Sequence, residues 1–225
     1  LTLRTSQVHF SVVKWAKSDV ALCGGKGEKD MAERVIKAAL LGFGTVGGGV
    51  YKVLKMQREE MVSKLGARVE LKKILVRNIE KAAKKVDDPS LLTNNWKEIV
   101  DDPEIEIVIE LMGGINPAKE YILYALKAGK HVVSANKDLI AVHGHELLDA
   151  AHEGKVDFLF EAAVAGGIPI IRPLKQCLAG NHMTEVMGIV NGTTNFILTK
   201  MTQEGMEFKD ALALATELGY AEADP

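Results

Sequence analysis

The stretch Val35–Gly49 reads VIKAALLGFGTVGGG and decides the fold class. Its first half is a short apolar run that ends in glycine, which is typical of a buried strand. Residues 42–47 then show the spacing G-x-G-x-x-G at the opening of a helix. Such glycines permit a tight turn, close approach of a pyrophosphate and close helix packing, and the helix N-terminus attracts anions. The stretch predicts a dinucleotide-binding loop; the alternative is a glycine-rich helix start that serves packing alone.

Strand and helix patterns alternate along the rest of the chain. Helical patterns cover residues 46–65, 80–86, 96–100, 118–128 and 144–152, and strand patterns cover residues 69–76, 105–111, 131–135 and 156–164. This alternation predicts an α/β protein with a Rossmann-type, doubly wound parallel sheet. Beyond it, a helix over 169–178, a strand over 184–190 and a helix near 208–218 predict the start of a second domain. We expect a leader over residues 1–30, a dinucleotide-binding domain over 31–160 and a second domain over 161–225.

The composition is that of a globular protein, with 47% hydrophobic and 26% charged residues in a chain of 225. The net charge of -2 offers no basic excess for a nucleic-acid partner. No apolar run reaches the roughly 18 residues that span a bilayer, and the first residues lack the pattern of a signal peptide. Cys23 and Cys177 cannot form a disulfide framework, so we expect reduced thiols in a cytoplasmic protein, with Cys177 in the core.

The end of the second predicted strand bears on the choice of cofactor. In NAD-binding folds a carboxylate at this point binds the ribose 2′-hydroxyl. Here the strand is followed by Arg77 and Asn78, and then by Lys81, Lys84 and Lys85. Such cations suit a 2′-phosphate, so the sequence predicts that NADP is accepted and leaves NAD open as a second cofactor. The alternative interpretation is a solvated basic helix face.

Lys137 directly follows a predicted strand in the segment SANK, residues 134–137. The carboxyl ends of strands are where open α/β folds bind their ligands. An ammonium there can donate a proton to, or polarise, a carbonyl oxygen that receives hydride. The alternative is an ordinary surface charge.

Two loops of small residues carry further candidate groups. The turn over 161–169, EAAVAGGIP, exposes carbonyl oxygens that can bind a hard cation, or else it connects strand to helix tightly. The cluster over 191–195, NGTTN, either caps a helix or lines a polar pocket. The histidines have no metal-binding spacing, and the HGH at 143–145 predicts a helix entry.

Six segments together resemble homoserine dehydrogenase. They are LLGFGTVGGGVYKVL, ELMGG, HVVSANKDLIA, FEAAVAGGIPII, GIVNGTTNFIL and ELGYAEADP, in this order between residues 34 and 225. The resemblance implies reduction of L-aspartate 4-semialdehyde to L-homoserine with NADPH or NADH, in threonine, methionine and isoleucine biosynthesis. It also implies a homodimer in which the sheet domain is followed by an α+β catalytic and dimerisation domain.

The resemblance assigns roles to individual residues. The residues implied to bind the cofactor are Gly42, Phe43, Gly44, Thr45, Val46, Gly47, Met112, Gly113, Lys137 and Gly219, which Arg77 joins from the argument above. Lys137 is also implied to be catalytic, beside nicotinamide and substrate. The residues implied to bind substrate are Asn191, Gly192, Thr193 and Glu222, and those implied to bind sodium through oxygen atoms are Glu161, Val164, Gly166 and Ile168.

One departure from the family concerns the last segment. In the family GYAEADP continues into further aspartates and a lysine regarded as the principal proton donor, whereas this sequence ends at Pro225. We therefore expect a fragment that binds the cofactor and lacks the main catalytic lysine. Two other interpretations stay open: an aldehyde-oxidising dehydrogenase with Cys177 as its nucleophile, and a non-catalytic NAD(P)-binding module.

Overall fold

A parallel six-stranded sheet forms the centre of the computed structural model, which describes residues 34–189 and 191–220. The strands are β1 (Arg34–Leu41), β2 (Ala67–Leu75), β3 (Leu92–Thr93), β4 (Ile105–Glu110), β5 (His131–Ser134) and β6 (Phe158–Leu159). Their order in the sheet is β3-β2-β1-β4-β5-β6. Since the order reverses between β1 and β4, a crevice opens there at the carboxyl ends of the strands. The predicted doubly wound sheet is confirmed.

Helices cover both faces of this sheet. They are α1 (Thr45–Met56), α2 (Arg58–Leu65), α3 (Ile79–Ala83), α4 (Lys97–Val100), α5 (Ala118–Lys127) and α6 (Lys137–Gly154). The later helices α7 (Gly192–Glu204) and α8 (Phe208–Glu217) pack on each other in a separate apolar cluster. Neighbouring residues of β1 point to opposite faces, so Leu41 packs in the cluster that contains Ile122 and Leu147, whereas Leu40 packs with Tyr51 and Ile74. Within the described part of the chain, no helix has the length and apolar character needed to cross a membrane.

The pairing of the central strand β1 with its two neighbours determines where the loops after these strands lie. Residues 38–41 are completely buried, as the apolar run predicts. Leu41 pairs with Leu75 of β2 on one side and with Glu110 of β4 on the other. Because these three strands end together, the loops that follow them meet at one edge of the sheet.

Several predicted helices have different bounds in the structure. The helix expected over 46–65 divides at Gln57 into α1 and α2. The helix expected over 80–86 is the shorter α3, and the helix expected from residue 144 starts at Lys137. It starts early because the Asn136 side chain accepts a hydrogen bond from the Leu139 N–H and so caps the helix. The HGH segment therefore lies inside α6, and the predicted helix entry there is wrong.

The chain between β6 and α7 differs more from the prediction. The strand expected over 156–164 has only the two residues of β6, because two 3₁₀ turns follow at Glu161–Ala163 and Ala165–Gly167. The helix expected over 169–178 contains a π-helical turn at Pro173–Cys177, and residues 184–189 form no strand. Cys177 is exposed, so its predicted place in the core is wrong. The predicted leader over 1–30 and Cys23 lie outside the described residues.

A buried lysine holds the start of β4. Lys130 is 4% exposed, and its Nζ donates hydrogen bonds to the carbonyl oxygens of Asp102 (2.6 Å) and Ile105 (2.9 Å). Burial lowers the pKa of this ammonium, although the charges of Asp102 and Asp101 partly oppose that effect. The ammonium ties the turn between α5 and β5 to the amino edge of the sheet.

Two glycines allow α1 to pack against β1. Gly42 has a positive φ of 94°, and a methyl group added there would lie 2.8 Å from the carbonyl oxygen of Leu111. A methyl group added to Gly47 would lie only 2.3 Å from the carbonyl oxygen of Gly42. These contacts are with backbone atoms, which cannot move aside as a flexible side chain does. The first and third glycines of the loop are therefore required by packing.

We expect Gly47→Ala to destabilise the protein by about 1–3 kcal/mol, because the new methyl group overpacks the loop. The matched control is Gly49→Ala in the same helix, where Gly49 is exposed and an added methyl group meets no atom within 4 Å. This control should stabilise the protein by about 0.5–1 kcal/mol, since alanine favours the helix. Free energies of unfolding from denaturant titration measure both changes. Equal effects of the two substitutions would contradict the packing argument.

Candidate functional site

A cleft of about 1030 Å³ opens at the carboxyl edge of the sheet. It lies among the loops that follow β1, β2 and β4, at the point where the strand order reverses. Its volume is at the upper end of the roughly 300–1,000 Å³ usual for small-molecule sites. The cleft therefore has room for a large, extended ligand.

The glycine loop forms one wall of the cleft. Gly42, Phe43 and Gly44 line it, whereas Thr45, Val46 and Gly47 are not among the lining residues. Gly44 is the N-cap of α1, and a methyl group added there would meet no atom within 4 Å. The first turn of α1 contains no acidic residue. An anion in the cleft could thus approach the backbone N–H groups and the positive end of the helix dipole.

Phe43 is held by an aromatic and polar chain that reaches the other side of the cleft. Its ring meets the ring of Tyr51 edge-on, with centroids 5.6 Å apart. The Tyr51 hydroxyl donates a 2.8 Å hydrogen bond to the Asp87 carboxylate, which also pairs with Lys55. Hydrogen bonds from Lys55 and Tyr51 hold the pKa of Asp87 below its usual value. The glycine loop is thereby braced against the chain that follows α3.

A basic wall faces the glycine loop. Arg77, Lys81 and Lys85 line the cleft, whereas Lys84 is not among the lining residues. The side chain of Asn78 accepts a 2.8 Å hydrogen bond from the Lys81 N–H and caps α3. No aspartate or glutamate of the described residues lines the cleft. Three cations without an acidic neighbour make this wall suited to a phosphate.

The loop after β4 supplies the third wall. Met112 and Gly113 line the cleft, together with Asn116 and Tyr121. The Tyr121 ring stacks on Trp96 with centroids 4.6 Å apart, which fixes its position. Sequence reasoning missed both Asn116 and Tyr121. For Tyr121 the reason is that its stacking partner Trp96 is distant in the sequence.

Lys137 is the first residue of α6 and is exposed at the end of β5. It is at the carboxyl edge of the sheet, as the sequence predicted, but it is not among the residues that line the cleft. The capping residue Asn136 is buried and also donates a 2.6 Å hydrogen bond from its amide to the carbonyl oxygen of Gly114. The position of Lys137 is therefore fixed with respect to the loop after β4.

In the candidate sodium loop, which starts at Glu161, the carboxylate of Glu161 is occupied by hydrogen bonds within the protein. Glu161 accepts hydrogen bonds from the N–H groups of Ile170, Ile171 and Arg172. Burial raises the pKa of Glu161, but these bonds and the Arg172 charge outweigh it and hold the pKa below its usual value. The described residues contain no cluster of three or more His, Cys, Asp or Glu that fits a metal. A cation would depend mainly on backbone oxygens, and the carbonyls of Glu161, Val164, Gly166 and Ile168 are hard ligands of that kind.

The candidate substrate residues gather at one end of the α7–α8 pair. Asn191 caps α7 by accepting a 2.8 Å hydrogen bond from the Thr194 N–H, so Gly192 and Thr193 lie in its first turn. The Thr193 hydroxyl donates to the carbonyl oxygen of Tyr220, next to Gly219, which ends α8 with a φ of 76°. Glu222 lies outside the described residues.

Comparisons with known proteins agree on one family. A family model for the NAD binding domain of homoserine dehydrogenase matches residues 42–161, and a homoserine dehydrogenase model matches residues 169–225. The homoserine dehydrogenase of Bacillus subtilis is 48% identical over 193 residues, which are 85% of this chain and 44% of that protein. The crystal structure of the Thiobacillus denitrificans homoserine dehydrogenase matches with a TM-score of 0.75 at 48% identity, over 85% of this chain and 44% of that one.

A more distant structure is a hyperthermophilic archaeal homoserine dehydrogenase in complex with NADPH. It matches with a TM-score of 0.68 at 27% identity, over 85% of this chain and 63% of that one. This chain thus spans less than half the length of the Bacillus subtilis relative. The NAD-binding model nevertheless matches more than half of the 225 residues, including the glycine loop and every wall of the cleft. On this match the chain belongs to the homoserine dehydrogenase family.

Proposed function

We propose that this chain is the cofactor-binding part, and the first part of the substrate region, of an enzyme that reduces L-aspartate 4-semialdehyde to L-homoserine with NADPH or NADH. The observation that carries the proposal is the cleft, where an open glycine loop faces three cations. Family membership supplies the reaction. We divide the enzyme into residues 31–160 and 161–225, a division supported by the two separate family matches.

The residues of the cleft fit a dinucleotide. The bound cofactor would supply the hydride. The N-terminus of α1 would hold its pyrophosphate, because Gly44 leaves the backbone open and no acidic residue stands in the first turn. Arg77, Lys81 and Lys85 would bind a 2′-phosphate, which favours NADPH over NADH. The archaeal relative in complex with NADPH supports binding of this cofactor.

Lys137 would face the substrate carbonyl and stabilise the negative charge that develops on its oxygen. The substrate would be bound by Asn191, Gly192, Thr193 and Glu222, with Gly219 beside the cofactor. Sodium would bind to the carbonyl oxygens of the loop that starts at Glu161. We further propose a cytoplasmic homodimer that acts in the biosynthesis of threonine, methionine and isoleucine.

The full-length gene product should consume NADPH when L-aspartate 4-semialdehyde is added, as measured by the loss of absorbance at the nicotinamide band. The reaction product should be L-homoserine. A folded protein that binds NADPH in calorimetry and does not consume it would instead support a non-catalytic NAD(P)-binding module.

Arg77→Ala should weaken NADPH binding by roughly 10- to 100-fold, which is the usual effect of losing a hydrogen bond between charged groups. The affinity for NADH should change little, because NADH has no 2′-phosphate. Lys84→Ala is the matched control, since Lys84 is exposed and does not line the cleft. Fluorescence titration with each cofactor measures the ratio of the NADPH affinity to the NADH affinity. If Arg77→Ala lowers both affinities equally, the proposed contact between Arg77 and the 2′-phosphate is wrong.

Lys137→Ala in the full-length enzyme should lower kcat by about 10²-fold or more while leaving the free energy of unfolding nearly unchanged. The reason is that Lys137 is exposed and contributes little to the core. Lys127→Ala removes a similarly exposed lysine at the end of α5 and should leave kcat unaltered. Steady-state kinetics and thermal unfolding of the two variants separate the effects, and an unaltered kcat in Lys137→Ala would remove this lysine from the mechanism.

A further inference from the structure

The loop after β4 begins at a buried carboxylate that has no role in the proposed reaction. Glu110 is the last residue of β4 and is completely buried. Its Oε1 accepts hydrogen bonds from the N–H groups of Met112 (2.8 Å) and Gly113 (3.3 Å), and its Oε2 accepts one from the Ser134 hydroxyl (2.7 Å). Burial of a carboxylate costs free energy because the group loses its contacts with water. The hydrogen bonds from these three donors offset that cost. The carboxylate in turn fixes the turn that carries two cleft-lining residues.

The same network continues to the next strand. The Oγ of Ser134 accepts a 3.1 Å hydrogen bond from the Asn136 N–H, while the Asn136 amide donates to the Gly114 carbonyl oxygen and caps α6. Glu110 and Ser134 are also direct neighbours in the β4–β5 pairing. The glycine turn of the cleft and the helix start at Lys137 are therefore joined by one set of buried and partly buried hydrogen bonds.

We propose that Glu110 is a positioning residue of the cofactor cleft, which sets the Met112–Gly113 turn and, through Ser134 and Asn136, the helix start that carries Lys137. The role follows from where the hydrogen bonds go. Each one ends on a backbone group or hydroxyl of the two loops that border the cofactor and the proposed catalytic lysine. Buried polar networks of this kind are rigid only when every member is satisfied, so the loss of one member loosens both loops.

Lys130 provides the comparison that separates positioning from stability. It is also a buried charged residue that anchors β4, but it holds the amino end of the strand, whereas Glu110 holds the carboxyl end. Lys130 is not among the residues that line the cleft. A purely structural role for Glu110 would make the two residues equivalent. A positioning role makes only Glu110 matter for cofactor binding.

The test uses Glu110→Gln and Asn136→Ser. Glutamine keeps one carbonyl oxygen for the Met112 and Gly113 N–H groups and loses the acceptor for Ser134. Serine keeps the helix cap, since it caps as well as asparagine, but it is too short to reach Gly114. Both variants conserve shape or capping, so they are designed to fold.

Each should weaken NADPH binding in fluorescence titration by roughly 3- to 10-fold, the effect of about one neutral hydrogen bond. The control Lys130→Met should lower the unfolding temperature while the NADPH affinity of the folded protein stays unaltered.

A second measurement needs no cofactor. Hydrogen exchange at the amides of Met112 and Gly113 should become faster in both Glu110→Gln and Asn136→Ser, measured relative to the buried amides of β1. In Lys130→Met this ratio should stay constant, because a general loss of stability affects both sets of amides. Faster exchange in Asn136→Ser shows that the two loops are connected through Asn136. If exchange and affinity match the wild type in both test variants, the inference is overturned.

This inference rests on the proposed function, and the two fail in different ways. A folded wild-type protein that does not bind NADPH would contradict the proposed function, and the exchange measurement would still decide whether Glu110 and Asn136 set the loops. Wild-type NADPH binding that is unaffected by Glu110→Gln and Asn136→Ser would contradict only the positioning role. Equal losses of affinity in Lys130→Met and Glu110→Gln would also overturn it, because the effect would then be one of general stability.

Discussion

The close contact between α1 and the loop after β1 is the constraint on which the rest of the structure depends. The backbone of Gly47 lies so near the carbonyl oxygen of Gly42 that no side chain fits between them. This contact holds the first turn of α1 close to the end of β1. Since β1 is the central strand, its two neighbours bring their own loops to the same edge. The steric condition at Gly47 therefore keeps the start of α1 beside the cleft, which the strand order places at this edge.

The strand β4 shows how polar anchors complete what apolar packing begins. Its middle is held by backbone pairing with β1 and β5 and by burial of residues such as Val108. Its ends are held by directional bonds, from Lys130 at the amino end and to Glu110 at the carboxyl end. Hydrogen bonds specify distance and angle, whereas apolar contacts specify mainly volume. The end that borders the cleft needs this specification most, because the backbone that follows it lines the cleft.

Sequence reasoning found the features that depend on neighbouring residues. The apolar runs and glycine spacing predicted the sheet, the loop after β1 and the basic wall at Arg77, all of which are local patterns. It could not find the Trp96–Tyr121 stack or the bond from Tyr51 to Asp87, since these join segments far apart in the chain. It misjudged the strand over 156–164 because an apolar run alone does not reveal that only two residues find a pairing strand.

The choice between a ribose 2′-hydroxyl and a 2′-phosphate depends on whether a carboxylate follows β2, as well as on the cations there. An acidic side chain beside Arg77 would accept a hydrogen bond from a ribose hydroxyl, and its negative charge would repel a 2′-phosphate. Its absence from the lining leaves Arg77, Lys81 and Lys85 free of an acidic competitor inside the cleft. The Asp87 carboxylate nearby is turned to Tyr51 and Lys55 instead, where it braces the basic segment against α1. The same short segment therefore separates two tasks, since its acid supports the wall and its bases line the cleft.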